Sequence, residues 1–263
     1  ATDGRFTKAV GTANAFGRAI AVQPDGKILV TGNAGNGTDN DFVIMRLDPA
    51  GVMDSTFGQD GIVFTDFMAT TDIAESIALD GLNRILVAGS VDTGDGFAFA
   101  LARYTTDGSL DQSFGIGGMA ITKMGVTGFC KALVVQQDHK PVLGGYVFNP
   151  VTGTNEFTLV RYTSEGDPDT LFGAGGVVMT STGIGAGVAN AMTLQGDGKI
   201  VLAGQALNDA TFAWEIAIAR YLPDGSPDMG WGEEGLVLSA FPQKSFTINS
   251  VTLDRDKNIL VAG

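Results

Sequence analysis

Apolar residues along this chain fall into short runs instead of helical stripes. Between residues 61 and 104 the runs are 61–66, 73–79, 84–90 and 98–104, rich in Val, Ile, Leu, Phe and Thr, with Gly and Asp between them. Runs this short predict strands. We label them d, a, b and c in chain order and expect them to form one four-stranded antiparallel sheet. The turn between a and b reads QPDGK (23–27), DGLNR (80–84), QQDHK (136–140) or QGDGK (195–199). Asp-Gly pairs in such turns supply the positive φ that a tight hairpin requires.

The pattern recurs. GKILVTG (26–32), RILVAG (84–89), KPVLGG (140–145), KIVLAG (199–204) and NILVAG (258–263) align on their last Gly, at intervals of 57, 56, 59 and 59 residues. A second motif keeps the same phase: MRLDPAGVMDSTFG (45–58), ARYTTDGSLDQSFG (102–115), VRYTSEGDPDTLFG (160–173) and ARYLPDGSPDMGWG (219–232). Its fixed points are an Arg, a Gly, an Asp, an aromatic and a second Gly. A four-stranded unit repeated along the chain predicts an all-β propeller, residues 1–263 forming one domain of at least five blades.

The repeat resembles the bacterial delta-60 repeat family, whose unit runs from PDGKI through an ARY strand to a DGSLD-x-SFG-x-GG turn; the clearest copy is ARYTTDGSLDQSFGIGG (102–118). The resemblance covers nearly the whole chain and implies a propeller-like fold in bacterial, often exported proteins. It implies little chemistry. The third copy departs from it, with QQDHKP where PDGK is expected, which puts that hairpin in question. No Trp-Asp dipeptide and no regular kelch pattern is present, which sets WD40 and kelch propellers, with RCC1-type ones, behind this assignment.

The ends are out of phase with the repeat. GRFTKAV (4–10) aligns as a d strand, and the last unit carries d (235–240), a (246–253) and b (258–263). We expect strand 4–10 to pair into the last blade and close the ring. A fifth blade lacking c would leave strand b with a bare edge, which sheets avoid. One explanation is a precursor cut after Gly263, with a second polypeptide completing the blade and supplying a nucleophile at its new N-terminus. Starting at Ala1 instead of Met is also what a secreted or periplasmic protein shows after signal removal.

Composition narrows the partners. A net charge of −13 and a pI near 4.3 disfavour nucleic acid and anionic membrane surfaces. No apolar run is long enough to span a bilayer as a helix. One Cys and one His exclude a disulfide framework and His or Cys metal sites. No cofactor is expected, although the b–c loops at 32–41 and 92–96, where Asp and Asn cluster with Gly, are compatible with calcium.

Structure demands the same residue in every repeat, whereas a ligand does not. The repeated Arg and Asp (46 with 54, 103 with 111, 161 with 169, 220 with 228) are therefore expected to be structural partners, and the aromatic after each Asp a plug between blades. At one position on strand a the chemistry changes from copy to copy: Arg18, Glu75, Lys131, Asn190 and Asn249, each followed by Ala or Ser. If strand a is innermost, these side chains ring a channel mouth and bind a small molecule. His139 is expected to be a turn residue, and Cys130 a small buried one. No Gly-x-Ser-x-Gly elbow, Ser-x-x-Lys or His-Glu-x-x-His motif is present, so no catalytic residue is assigned. Two functions remain: a hydrolase of carboxylic esters using Lys131, Arg18 or Glu75 at the channel mouth, or a non-catalytic binding propeller.

Overall fold

A computed structural model describes residues 4–12, 14–68, 70–240 and 246–263. The described residues form eighteen strands and no helix. No helix, therefore, is long and apolar enough to cross a membrane. The first sheet contains β1 (Ala15–Val22), β2 (Ile28–Gly35), β3 (Asn40–Leu47) and β4 (Ile62–Thr65), in that order. The second contains β5 (Asp72–Leu79), β6 (Ile85–Asp92), β7 (Phe97–Tyr104) and β8 (Met119–Thr122). The third contains β9 (Gly128–Val135), β10 (Pro141–Asn149), β11 (Thr154–Arg161) and β12 (Val177–Thr180). The fourth contains β13 (Gly187–Leu194), β14 (Ile200–Asn208), β15 (Ala213–Tyr221) and β16 (Leu236–Ser239), and the fifth β17 (Ser250–Leu253) and β18 (Ile259–Ala262). All neighbouring strands are antiparallel.

Two expectations about the strands are corrected. Each sheet runs a-b-c-d, not d-a-b-c: the run 61–66 pairs with β3 before it, Val43 opposite Phe64, and not with β5 after it. The run 235–240 accordingly completes the fourth sheet, Ala217 opposite Leu238, leaving the fifth with two strands among the described residues. Residues 4–10 form no strand and do not close the last sheet. Val10 is instead buried with Ala34 and Val43 on the first sheet, and the Thr12 amide donates to the Gly35 carbonyl at 2.8 Å. The buried Val10 and the Thr12–Gly35 bond hold this segment against the first sheet.

The chain divides into two compact units. One comprises Ala1–Lys123 with Glu165–Asp167, the other Met124–Ser164 with Pro168–Gly263. In the first unit Leu29, Phe42, Ile44, Ile77, Ile85, Val87 and Tyr104 form one core. Phe42 meets the Phe67 ring edge-on at 4.8 Å. In the second unit the core is Val142, Phe157, Leu159, Phe172, Ile200, Leu202 and Tyr221. Strand β6 is buried from Ile85 to Val91 because both of its faces are covered, which explains its continuous apolar run. β1 is the contrast, with Phe16, Ile20 and Val22 exposed.

The a–b hairpins are alike, including the third. The Gln136 amide donates to Lys140 O at 2.9 Å and the His139 amide to Gln136 O at 3.0 Å, matching Gln23 with Lys27 and Gly26 with Gln23. The positive-φ position is held by Gly26, Asn83, His139, Gly198 and Lys257 (φ 83°, 60°, 64°, 85° and 66°). His139 is thus a turn residue, as expected.

Candidate functional site

The repeated loop motif builds one clamp four times. Arg46, Arg103, Arg161 and Arg220 each donate from Nε to the Oδ2 of Asp54, Asp111, Asp169 and Asp228, every distance 2.9 Å. Each guanidinium lies over the following aromatic: Phe57 at 4.4 Å, Phe114 and Phe172 at 4.3 Å, and Trp231 at 4.7 Å. The hairpin cation reaches the same carboxylate, Lys27 to Asp54 at 3.1 Å, Lys140 to Asp169 at 3.0 Å and Lys199 to Asp228 at 3.1 Å. This shared Asp explains why the two sequence motifs never lose phase. Arg46 and Arg161 also donate to the Thr106 and Pro223 carbonyls of the next repeat. Tyr221 and Tyr104 bond Thr180 and Thr65 of the preceding sheet at 2.8 and 2.7 Å.

These clamps carry a pH dependence. All four carboxylates sit below the ordinary Asp range. The Thr56 hydroxyl is the leading cause at Asp54 and Lys199 at Asp228. At Asp111 and Asp169 burial is the largest single effect and opposes the shift, and Ser113 with Arg103, and Lys140 with the Leu171 amide and Arg161, together outweigh it. Between the unfolded value near 4 and the lower folded values the unfolded chain holds more protons, so stability rises with pH there. The urea midpoint should be flat with respect to these groups above about pH 5 and fall steeply below about pH 4.

The varying polar position has a structural cause. In all four complete sheets it is the extra residue of a β-bulge on strand a. The register slips between Gly17 and Ala19, between Ala74 and Ser76, and between Ala189 and Ala191; opposite Gly144 and Gly145 it passes over Lys131. A bulge turns one side chain out of the pleat and is frequent beside binding sites. The carbonyl before each bulge presses on the repeated Gly of strand b. A Cβ there would lie 1.8 Å from Phe16 O at Gly32, 2.0 Å from Ile73 O at Gly89, 2.0 Å from Phe129 O at Gly145 and 2.0 Å from Val188 O at Gly204. A Cβ at Gly263 would likewise lie 1.8 Å from Thr247 O, two residues before Asn249. Close approach, not positive φ, selects these five glycines.

In the first unit Arg18 lies 3.8 Å from Glu75 on the neighbouring sheet and over the exposed Phe16 ring. In the second, Lys131 lies over Phe129, which contacts Tyr146 at 5.6 Å, and Asn190 Nδ2 donates to Ile248 O at 2.8 Å. Asn249 is exposed. The residue after the repeated Gly, opposite the start of each bulge, adds Asn33 and Gln205, whose amide oxygens are buried and accept no hydrogen bond. Cys130 is fully buried, its Sγ 3.8 Å from Ala132 O, as expected of a small packing residue.

A second irregularity was not singled out in the sequence. Asp41, Asp66 and Asp72, from three separate segments of the first unit, place one oxygen each within 4.8 Å of the others. Burial pushes the Asp72 carboxyl up to about 7; the Phe67 amide opposes this, and the charges of Asp66, Asp41 and Asp39 add to it.

The repeat has a counterpart among known families. Three segments match the family model described as a domain of unknown function (DUF5122) β-propeller. They are residues 23–57, 83–114 and 195–230. Each runs from the a–b hairpin to the loop clamp, and the divergent third copy lies outside the match. This supports a β-propeller repeat and agrees with the antiparallel four-stranded sheets. No curated protein matches the chain. Among solved structures, an endo-arabinase from Bacteroides thetaiotaomicron is 16% identical with a TM-score of 0.44, covering 96% of this chain and 89% of that one. A fucose lectin from Kordia zhangzhouensis in complex with methyl-fucoside is 12% identical with a TM-score of 0.35, covering 63% and 97%. A family 43 glycoside hydrolase from Bacillus licheniformis is 12% identical with a TM-score of 0.38, covering 82% and 67%.

Proposed function

We propose that the chain is a ligand-binding β-propeller of the delta-60 type, exported from the cell, whose bulge residues contact a small hydroxylated anion such as a sugar acid. The observation that carries this reading is the bulge itself. It is kept in all four complete sheets by a Gly that admits no side chain, yet the residue it presents changes from Arg to Glu, Lys and Asn. Constant geometry with varied chemistry suits ligand contacts better than a repeated structural bond. In the first unit Arg18 would pair with a carboxylate, Glu75 with a hydroxyl and the Phe16 ring with the apolar face of a sugar; in the second, Lys131 would take the carboxylate, Asn190 a hydroxyl, and the Phe129 and Tyr146 rings the apolar face.

Calorimetric titration with glucuronate should give saturable binding. Arg18→Ala or Lys131→Ala should each weaken it about tenfold, the loss of one charge-assisted hydrogen bond, without lowering the melting temperature. A wild-type protein that binds no member of a sugar-acid panel counts against the reading.

The second reading is carboxylic ester hydrolysis at the same residues. It is favoured by the Arg18–Glu75 pair, in which a cation able to polarise a carbonyl stands beside a carboxylate. Turnover of a chromogenic ester, lost in Glu75→Gln, would select it over binding alone.

A further inference from the structure

We propose that Asp41, Asp66 and Asp72 form a calcium site in the first unit, where the start of β3 meets the segment joining β4 to β5. Asp72 is fully buried and Asp41 is 4% exposed, yet Asp41 Oδ1 and Asp72 Oδ1 accept no hydrogen bond. Their other oxygens are used: Asp41 Oδ2 accepts from Asn36 Nδ2 at 2.9 Å and Asp72 Oδ2 from the Phe67 amide at 2.8 Å. Each carboxylate is therefore held in place by one oxygen with the other left for a ligand. Burying such oxygens with no partner is costly.

The spacing suits calcium. Two oxygens bound to one Ca²⁺ at about 2.4 Å stand at most about 4.8 Å apart, the span within which the three carboxylates meet. Ca²⁺ accepts an irregular, all-protein set of oxygens, whereas Mg²⁺ demands near-ideal octahedral geometry and gives up its water reluctantly. Three carboxylates also match a hard cation that takes only oxygen ligands.

The other repeats show what this position looks like when it is structural. The residues aligned with Asp41 are Ala98, Glu156 and Glu215, with Asp66 Lys123, Ser181 and Ala240, and with Asp72 Gly128 and Gly187. Glu156 accepts from the Asn149 amide at 3.0 Å and the Thr152 hydroxyl at 3.1 Å, and Glu215 from the Asn208 amide at 2.7 Å, and neither has a buried oxygen without a partner, whereas Asp41 has the Asn36 amide on one oxygen and nothing on the other. Only the first repeat keeps that acid and brings two more against it. A fold requirement would have repeated the trio; a ligand explains its single occurrence.

The test is calorimetric titration of EDTA-stripped protein with CaCl₂, together with thermal melts. Wild type should bind one Ca²⁺ per chain and melt about 5 °C higher in excess calcium, reversibly with EDTA, while MgCl₂ should do much less. Asp72→Asn and Asp66→Asn should both abolish the heat and the shift; Asp66 is exposed, so its variant keeps the fold. Asp95→Asn, in the b–c loop of the second sheet, should bind as wild type does. Absence of calcium binding by wild type, retention of it by either trio variant, or an equal response to Mg²⁺ would overturn the proposal.

Discussion

Replacing Gly89 by Ala is expected to cost roughly 3 kcal/mol or more and to lower the melting temperature by about 10 °C. The added Cβ would stand 2.0 Å from the Ile73 carbonyl oxygen and 2.8 Å from Phe42 Cζ. Neither neighbour can yield cheaply. The carbonyl belongs to the bulge that presents Glu75, and Phe42 is fully buried between the sheets of the first unit. Gly94→Ala provides the comparison. Its φ is 82° but nothing lies within 4 Å of its Cβ position, so its penalty is backbone strain of about 1 kcal/mol. If the two variants melt together, the bulge does not require this glycine.

Asp169→Ala should destabilise by about 3–5 kcal/mol, the usual result of stranding a buried charge. Asp169 Oδ2 receives Arg161 Nε at 2.9 Å and Lys140 Nζ at 3.0 Å, with the Arg161 and Asp169 side chains 7% and 5% exposed. Without the carboxylate, Arg161 would remain fixed over Phe172 by the Pro223 carbonyl at 2.6 Å, its charge uncompensated. Chemical denaturation should show a lower midpoint with little change of slope. A loss below about 1 kcal/mol would mean that the clamp contributes no more than a surface ion pair.

The clamps were legible because their residues recur at fixed spacing: Arg161 and Asp169 are eight residues apart, as in every copy, and each copy must solve the same problem of a partly buried charge. The hairpins were legible for the same reason, His139 merely occupying a place where Gly or Asn serves elsewhere. Strand register was not. Whether run 61–66 joins β3 or β5 depends on pairing that no local pattern encodes, and it joins β3. The bulge was visible only as chemical variation at Arg18, Glu75, Lys131, Asn190 and Asn249, since a register slip exists only against a partner strand. Asp41, Asp66 and Asp72 were hidden by distance along the chain. Asp41 lies in a loop already noted for its acidic residues, but Asp66 and Asp72 reach it only once β4 has folded back along β3. The repeat itself held the remaining clue, because aligned copies lack the same trio.

The binding proposal is tested most directly by backbone amide NMR during titration with glucuronate. Shifts should concentrate at the bulges, residues 17–19 and 73–76 in the first unit and 129–132 and 188–191 in the second, and saturate. Shifts confined to the Arg–Asp clamps, or none at any bulge when another sugar acid of the panel saturates the protein, would contradict it.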